Sequence, residues 1–216
     1  MSWEYRACYT LGSVDASILQ ATLMSFAIDC SGSSSSLVYE GNRVTEQDGP
    51  RLGWADFVAD AASARPSAAT RFVSEEFWFD FGFVTLPGSL GGTPGAADIR
   101  AAWLEISDGN LDRLAYALDD RGTDVLKLLV ALFRALNASS MAMGMEPSAQ
   151  QFVQLFAGKL PLAEMDEHIS LAIAPPATMV TALRSNPRIR ELDIDGMPVL
   201  ARYLVGLDEY FPRSPG

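Results

Sequence analysis

Five of the chain's eleven phenylalanines fall between positions 72 and 83: Phe72, Phe77, Phe79, Phe81 and Phe83. The last four alternate strictly with Trp78, Asp80 and Gly82. A period of two is the geometry of a β-strand, whose successive side chains leave by opposite faces. One face of this strand is therefore all phenylalanine and must be core. The other reads Glu76, Trp78, Asp80 and Gly82, an acidic surface with an aromatic at its centre, suited to a basic partner.

The same reasoning predicts the neighbouring elements. Residues 3 to 11 alternate Trp3, Tyr5, Ala7, Tyr9 and Leu11 with polar or small residues, which predicts a half-buried strand. Ile18, Leu19, Leu23 and Phe26 recur at helical spacing, with Ser13 as the expected cap and an end near Ile28. Residues 31–36 and 40–53 read as loops, rich in serine and in turn formers respectively. Trp54, Phe57 and Val58 mark a short helix that stops before Pro66. Residues 70–86 read as one bent strand or two. The glycine-rich stretch 87–97 reads as a flexible hairpin loop or lid, because Ile99–Ser107 resumes a strand that should pair with the phenylalanine strand.

Asp108 is placed to cap a helix through Leu111, Leu114 and Leu118, and Thr123 to cap the most apolar helix, Val125–Asn137, which should pack on the phenylalanine face. Met141–Met145 and His168–Ala174 read as strands; Ser148 caps a helix to Phe156, and Met179–Arg184 forms a helical turn or two. Asp195-Gly196 between two apolar arms is a hairpin signature, since a tight type I′ turn needs two positive φ angles. Pro198 places the second arm toward a sheet edge, and the tail 209–216 is expected to fray. Strands and helices mix without βαβ alternation. The expected class is a single α+β domain over 1–216, with a mainly antiparallel sheet and helices packed on one face.

Charge and cysteine content narrow the function classes. The net charge of −11 disfavours nucleic acid and anionic membranes and favours a cationic protein partner. Two cysteines, Cys8 and Cys30, are too few for a disulfide scaffold, and there is no secretory leader pattern or long apolar run. A cytoplasmic protein with free thiols is the expectation.

Catalytic constellations are sparse. His168 is the only imidazole, so any Ser-His or Cys-His mechanism must use it, and no serine sits in a nucleophile elbow; it reads as a surface or strand-edge histidine. Met141, Met143 and Met145 share a strand face, and an array of three thioethers is a soft ligand set for Cu(I), but without a second cluster of soft ligands they read as core filling. Residues 88–95 lack the lysine of a phosphate loop. The acidic pairs, including Asp193 with Asp195, sit at the ends of predicted elements, where acids cap or flank turns. No catalytic residue, metal or cofactor is expected.

The run Trp103-Leu104-Glu105-Ile106, the leucine-rich helices over 110–137 and the strand Ser140-Met141-Ala142-Met143-Gly144, with the size, acidity and α+β layout, resemble immunity proteins of bacterial polymorphic toxin systems. The resemblance covers about a third of the chain and has no diagnostic motif. It implies an inhibitor that covers a cognate toxin's active site and has no catalysis of its own. Glu76, Trp78, Asp80, Trp103 and Glu105 are the expected partner-binding residues. The alternative is a small-molecule binder or enzyme in which Trp78, Phe79, Phe81 and Trp103 line a pocket under the 87–97 loop, anchored by Asp80 or Glu105.

Overall fold

The computed structural model describes residues 4–28, 30, 34–40, 43–47, 53–63, 66, 68–73, 78–111, 123–161, 163–164 and 168–202. They build ten strands and five helices. The strands are β1 (Glu4–Thr10), β2 (Ser34–Glu40), β3 (Arg43–Gln47), β4 (Ala68–Val73), β5 (Trp78–Leu86), β6 (Ile99–Ser107), β7 (Met141–Met145), β8 (Ile169–Ile173), β9 (Ile189–Ile194) and β10 (Met197–Arg202). The helices are α1 (Ala16–Ser25), α2 (Trp54–Asp60), α3 (Thr123–Ala135), α4 (Ala149–Phe156) and α5 (Ala177–Ser185). The helix begun at Asp108 is described only to Leu111.

All ten strands join one sheet in the order β3-β2-β4-β5-β6-β1-β7-β8-β10-β9, and every pairing is antiparallel. The expected α+β class with an antiparallel sheet is what the chain adopts. The strand after the glycine-rich segment pairs with the phenylalanine strand, as its flanking pattern predicts: Phe81 lies opposite Leu104 and Phe83 opposite Ala102.

One sheet face carries the larger core. Phe79, Phe81 and Phe83 are essentially fully buried there, with Phe72, Tyr5, Tyr9, Leu104 and Met143. The rings form a continuous aromatic cluster, in which Phe83 lies 5.1 Å from Phe57 and Phe72 lies 5.2 Å from Phe79. Offset and tilted pairs at such distances add to area burial. Among the described residues, the ring contacts to this strand come from Phe57 of α2 and Phe72 of β4. Helix α3 shares the same core but lies beside α1, and its Arg134 Nη2 donates to the Asp195 carbonyl at 2.6 Å, tying it to the β9–β10 hairpin.

The opposite face is also apolar over part of its area. Cys8, Val84, Leu86, Ala101, Trp103, Ala142 and Ala172 form a second core with Phe152 and Val153 of α4 and Met179 and Leu183 of α5. Helices therefore lie alongside both faces. The reason is legible strand by strand: Trp103 and Val84 stand on the face away from the phenylalanines and need cover of their own.

Several local expectations change. Asp15, not Ser13, caps α1, accepting from the backbone N–H of Ser17 at 2.8 Å and of Ile18 at 3.1 Å. Ser107, not Asp108, accepts from the Asn110 N–H at 3.3 Å. The serine-rich segment enters strand β2, and the stretch read as a loop over 40–53 contains β3, which pairs with β2. Of the two readings of residues 70–86, the chain adopts the two-strand one, and the strands pair antiparallel. Strand β10 is interior, between β8 and β9. Its ladder with β8 starts at Val199, so Pro198 sits where β8 has already ended and its missing N–H breaks no pairing.

Other signals hold. Asp195 and Gly196 take φ of 52° and 77°, as the hairpin turn requires. Ser148 and Gln151 form a reciprocal capping box on α4. Residues 88–91 fold as a 3-10 turn, with the Gly88 N–H donating to Asp98 Oδ1 at 3.0 Å and the Lys159 ammonium donating to Thr93 Oγ1. The tail 209–216 lies outside the described residues.

Candidate functional site

Four charged positions become neighbours through strand register alone. Arg71 on β4 lies opposite Asp80 on β5, Asp80 opposite Glu105 on β6, and Glu105 opposite Arg6 on β1. Residues directly opposite in an antiparallel pair share a face and meet side by side. These four, with Glu4, form a ladder across β4, β5, β6 and β1 on the face away from the phenylalanines.

The hydrogen bonds follow the ladder. Arg71 grips Asp80 with a two-pronged fork, Nε donating to Oδ1 at 2.6 Å and Nη2 to Oδ2 at 2.8 Å. Arg6 Nε donates to Glu105 Oε2 at 2.6 Å, and its Nη2 donates to Glu4 Oε2 at 3.1 Å. Between the two pairs, Asp80 and Glu105 place two carboxylates side by side. Burial pushes the Glu105 carboxyl above its ordinary range; Arg6 pulls it back, while Glu4 and Asp80 add to the upward push. Three carboxylates and two guanidinium groups make the ladder nearly balanced, so the surface is less acidic than the β5 sequence alone suggests.

Trp78 stands at the β4–β5 end of the ladder. It is 38% exposed, one of three large exposed apolar side chains among the described residues, with Ile18 and Met24. The Arg71 guanidinium carbon lies 4.3 Å from the centroid of its ring, a cation–π distance. Its backbone N–H donates to Asn110 Oδ1 at 3.2 Å, and Asn110 Nδ2 donates in turn to Ser107 Oγ at 2.8 Å. The strand end that carries the indole is thus pinned to the helix that follows β6.

The expected site residues separate. Trp78, Asp80 and Glu105 come together on one face. Trp103 does not join that surface: it is 5% exposed, and its ring meets Phe152 of α4 edge-on at 5.4 Å. An indole enclosed in the second core supplies packing rather than partner contact. Glu76 lies outside the described residues. The pocket drawn from Trp78, Phe79, Phe81 and Trp103 does not assemble, because Phe79 and Phe81 face the first core while Trp78 and Trp103 leave by the other side of the sheet.

Reading β5 in isolation misses Arg71 and Arg6. Each is the polar member of an alternating strand, which is a usable signal, but only the strand order places them beside Asp80 and Glu105. The other candidates go to the core or to turns. Met141 and Met143 are buried in the first core with Met145 packed against it. Cys8 is fully buried, and burial pushes its thiol far above the ordinary range, so it holds its proton and is no nucleophile. Asp193 Oδ1 accepts from the Gly196 N–H at 2.8 Å and serves the hairpin turn. Among the described residues, no group of three or more His, Cys, Asp or Glu side chains could hold a metal ion, and no helix is long and apolar enough to cross a membrane. No protein-family model matches this chain, and no curated protein and no solved structure is significantly similar to it.

Proposed function

We propose that the chain is a small acidic cytosolic binding protein of the immunity or inhibitor type, which neutralises a partner protein by covering its surface or active site. The supporting observation is the exposed Trp78 standing beside the two-pronged Arg71–Asp80 fork on the sheet face. Exposed indoles flanked by charged groups are the side chains that most often dominate protein interfaces. The net charge of −11 adds long-range attraction for a cationic partner even though the ladder itself is nearly balanced.

The test is pairwise binding between this protein and the products of adjacent reading frames, measured by calorimetry at low and at high salt. Binding should weaken with salt, because attraction between exposed charges is screened. Trp78→Ala should weaken it about thirtyfold, equivalent to roughly 2 kcal/mol. Binding that is insensitive to salt and unchanged in both Trp78→Ala and Asp80→Lys would sink this reading.

A further inference from the structure

The Trp78–Asp80 pair already holds a guanidinium. Arg71 lies with its Cζ 4.3 Å from the indole centroid, and its fork closes on both Asp80 oxygens at 2.6 and 2.8 Å. A planar aromatic under the cation and a carboxylate at its edge is the arrangement that selects a guanidinium over an ammonium. The fork matches the carboxylate geometry and the delocalised plane stacks on the ring. The contact is open to water: the Arg71 side chain is 44% exposed and that of Asp80 26%.

From this geometry we infer that Trp78 and Asp80 form a cradle for an arginine side chain of the partner, and that Arg71 occupies it as an internal stand-in. The inference rests on the binding role proposed above and adds the chemical class of the partner's anchoring group. The incoming arginine takes over the stack and the fork as Arg71 swings aside and is hydrated by solvent. An exposed ion pair is weak, and so Arg71 can be displaced. Because Arg71 is tethered two residues from β4's end and opposite Asp80, it competes at high effective concentration and lowers the apparent affinity of any rival guanidinium. A partner lysine fits less well, since an ammonium cannot make the two parallel bonds.

The test uses N-acetyl-arginine amide and N-acetyl-lysine amide as probes. The readout is the Trp78 indole N–H resonance, assigned by its absence in Trp78→Phe. Arg71→Ala should bind the arginine probe at least about tenfold more tightly than the wild type, and should prefer it to the lysine probe. Adding Asp80→Asn to Arg71→Ala should abolish that binding. Arg71→Lys, which keeps the charge but not the fork, should fall between wild type and Arg71→Ala and guards against a folding defect in the alanine variant. Equal arginine affinity in wild type, Arg71→Lys and Arg71→Ala, or equal affinity for the two probes, overturns the cradle. The partner assay separates the two ideas. Loss of partner binding in Trp78→Ala with no gain in Arg71→Ala keeps the binding role and removes the cradle. Probe selectivity without any protein partner keeps the cradle and removes the binding role.

Discussion

Tyr9 offers a sharp test of how the first core is built. The residue is fully buried on β1, and its hydroxyl has no hydrogen-bond partner among the described residues. A buried hydroxyl that makes no bond costs about 1–3 kcal/mol relative to its hydrated state. Tyr9→Phe removes that cost and keeps the ring. The loss of one oxygen leaves a space of about 10–15 Å³, which at ~24 cal/mol per Å³ costs about 0.3 kcal/mol. The net expectation is a gain of about 0.7–2.7 kcal/mol, seen as a higher urea midpoint at unchanged slope and a melting temperature raised by about 1–11 °C.

The variant carries a second signature at high pH. Burial pushes the Tyr9 hydroxyl far above its ordinary range, with a smaller contribution from Cys8. The folded state therefore keeps a proton that the unfolded state releases near pH 10. The unfolded state then binds fewer protons, so this group makes stability fall as pH rises above about 10, by up to ~1.4 kcal/mol per pH unit. Tyr9→Phe should remove that increment of slope, measured as the difference between variant and wild-type urea stabilities from pH 8 upward. A loss of more than about 1 kcal/mol at neutral pH, or an unchanged alkaline slope, would refute the reasoning and mean that the hydroxyl is well solvated or bonded.

Three further outcomes follow from particular contacts. Gly144→Ala should cost more than about 3 kcal/mol or prevent folding, because a Cβ there would overlap the His168 carbonyl oxygen on the adjoining backbone, well beyond ordinary overpacking; soluble yield and urea unfolding read it. Trp103→Ala should lower stability by about 3–5 kcal/mol through the cavity it leaves against Phe152, with partner affinity per folded molecule unchanged; a stable variant with weakened binding would return Trp103 to the interface. Glu105→Gln bears on the ladder. The folded carboxyl titrates above its ordinary 4.5, so the folded state retains a proton the unfolded state has lost. Its contribution is fully present below pH 4.5 and is lost as pH rises through the higher folded value. The variant should flatten stability against pH in that mildly acidic window, and a pH profile superimposable on the wild type's would contradict it.

The elements legible in the sequence were those whose signal is local. Alternating phenylalanines need no partner to define a strand, Asp195-Gly196 sets its own φ angles, and Ser148 with Gln151 closes a cap within four residues. Strand β3 was missed because Arg43–Gln47 has one apolar residue and no alternation to reveal it, although the Gly41-Asn42 dipeptide before it is a hairpin signal. The caps of α1 and of the helix after β6 were displaced because Ser13, Asp15, Ser107 and Asp108 all carry suitable oxygens, and only backbone geometry chooses among them.

What the sequence determined by itself was therefore the pattern of each strand: which residues share a face, that the phenylalanine face is core, and that the chain makes an antiparallel α+β domain. What only the tertiary structure decided was adjacency. Arg71 meets Asp80 across a strand pair, but Arg6 meets Glu105 across ninety-nine residues of chain. Trp103 and Trp78 share a face of the sheet, yet α4 covers one while the other stands open. Side-chain alternation is fixed within a few residues by backbone geometry, whereas strand order and helix cover are settled by the burial of surfaces far apart in sequence.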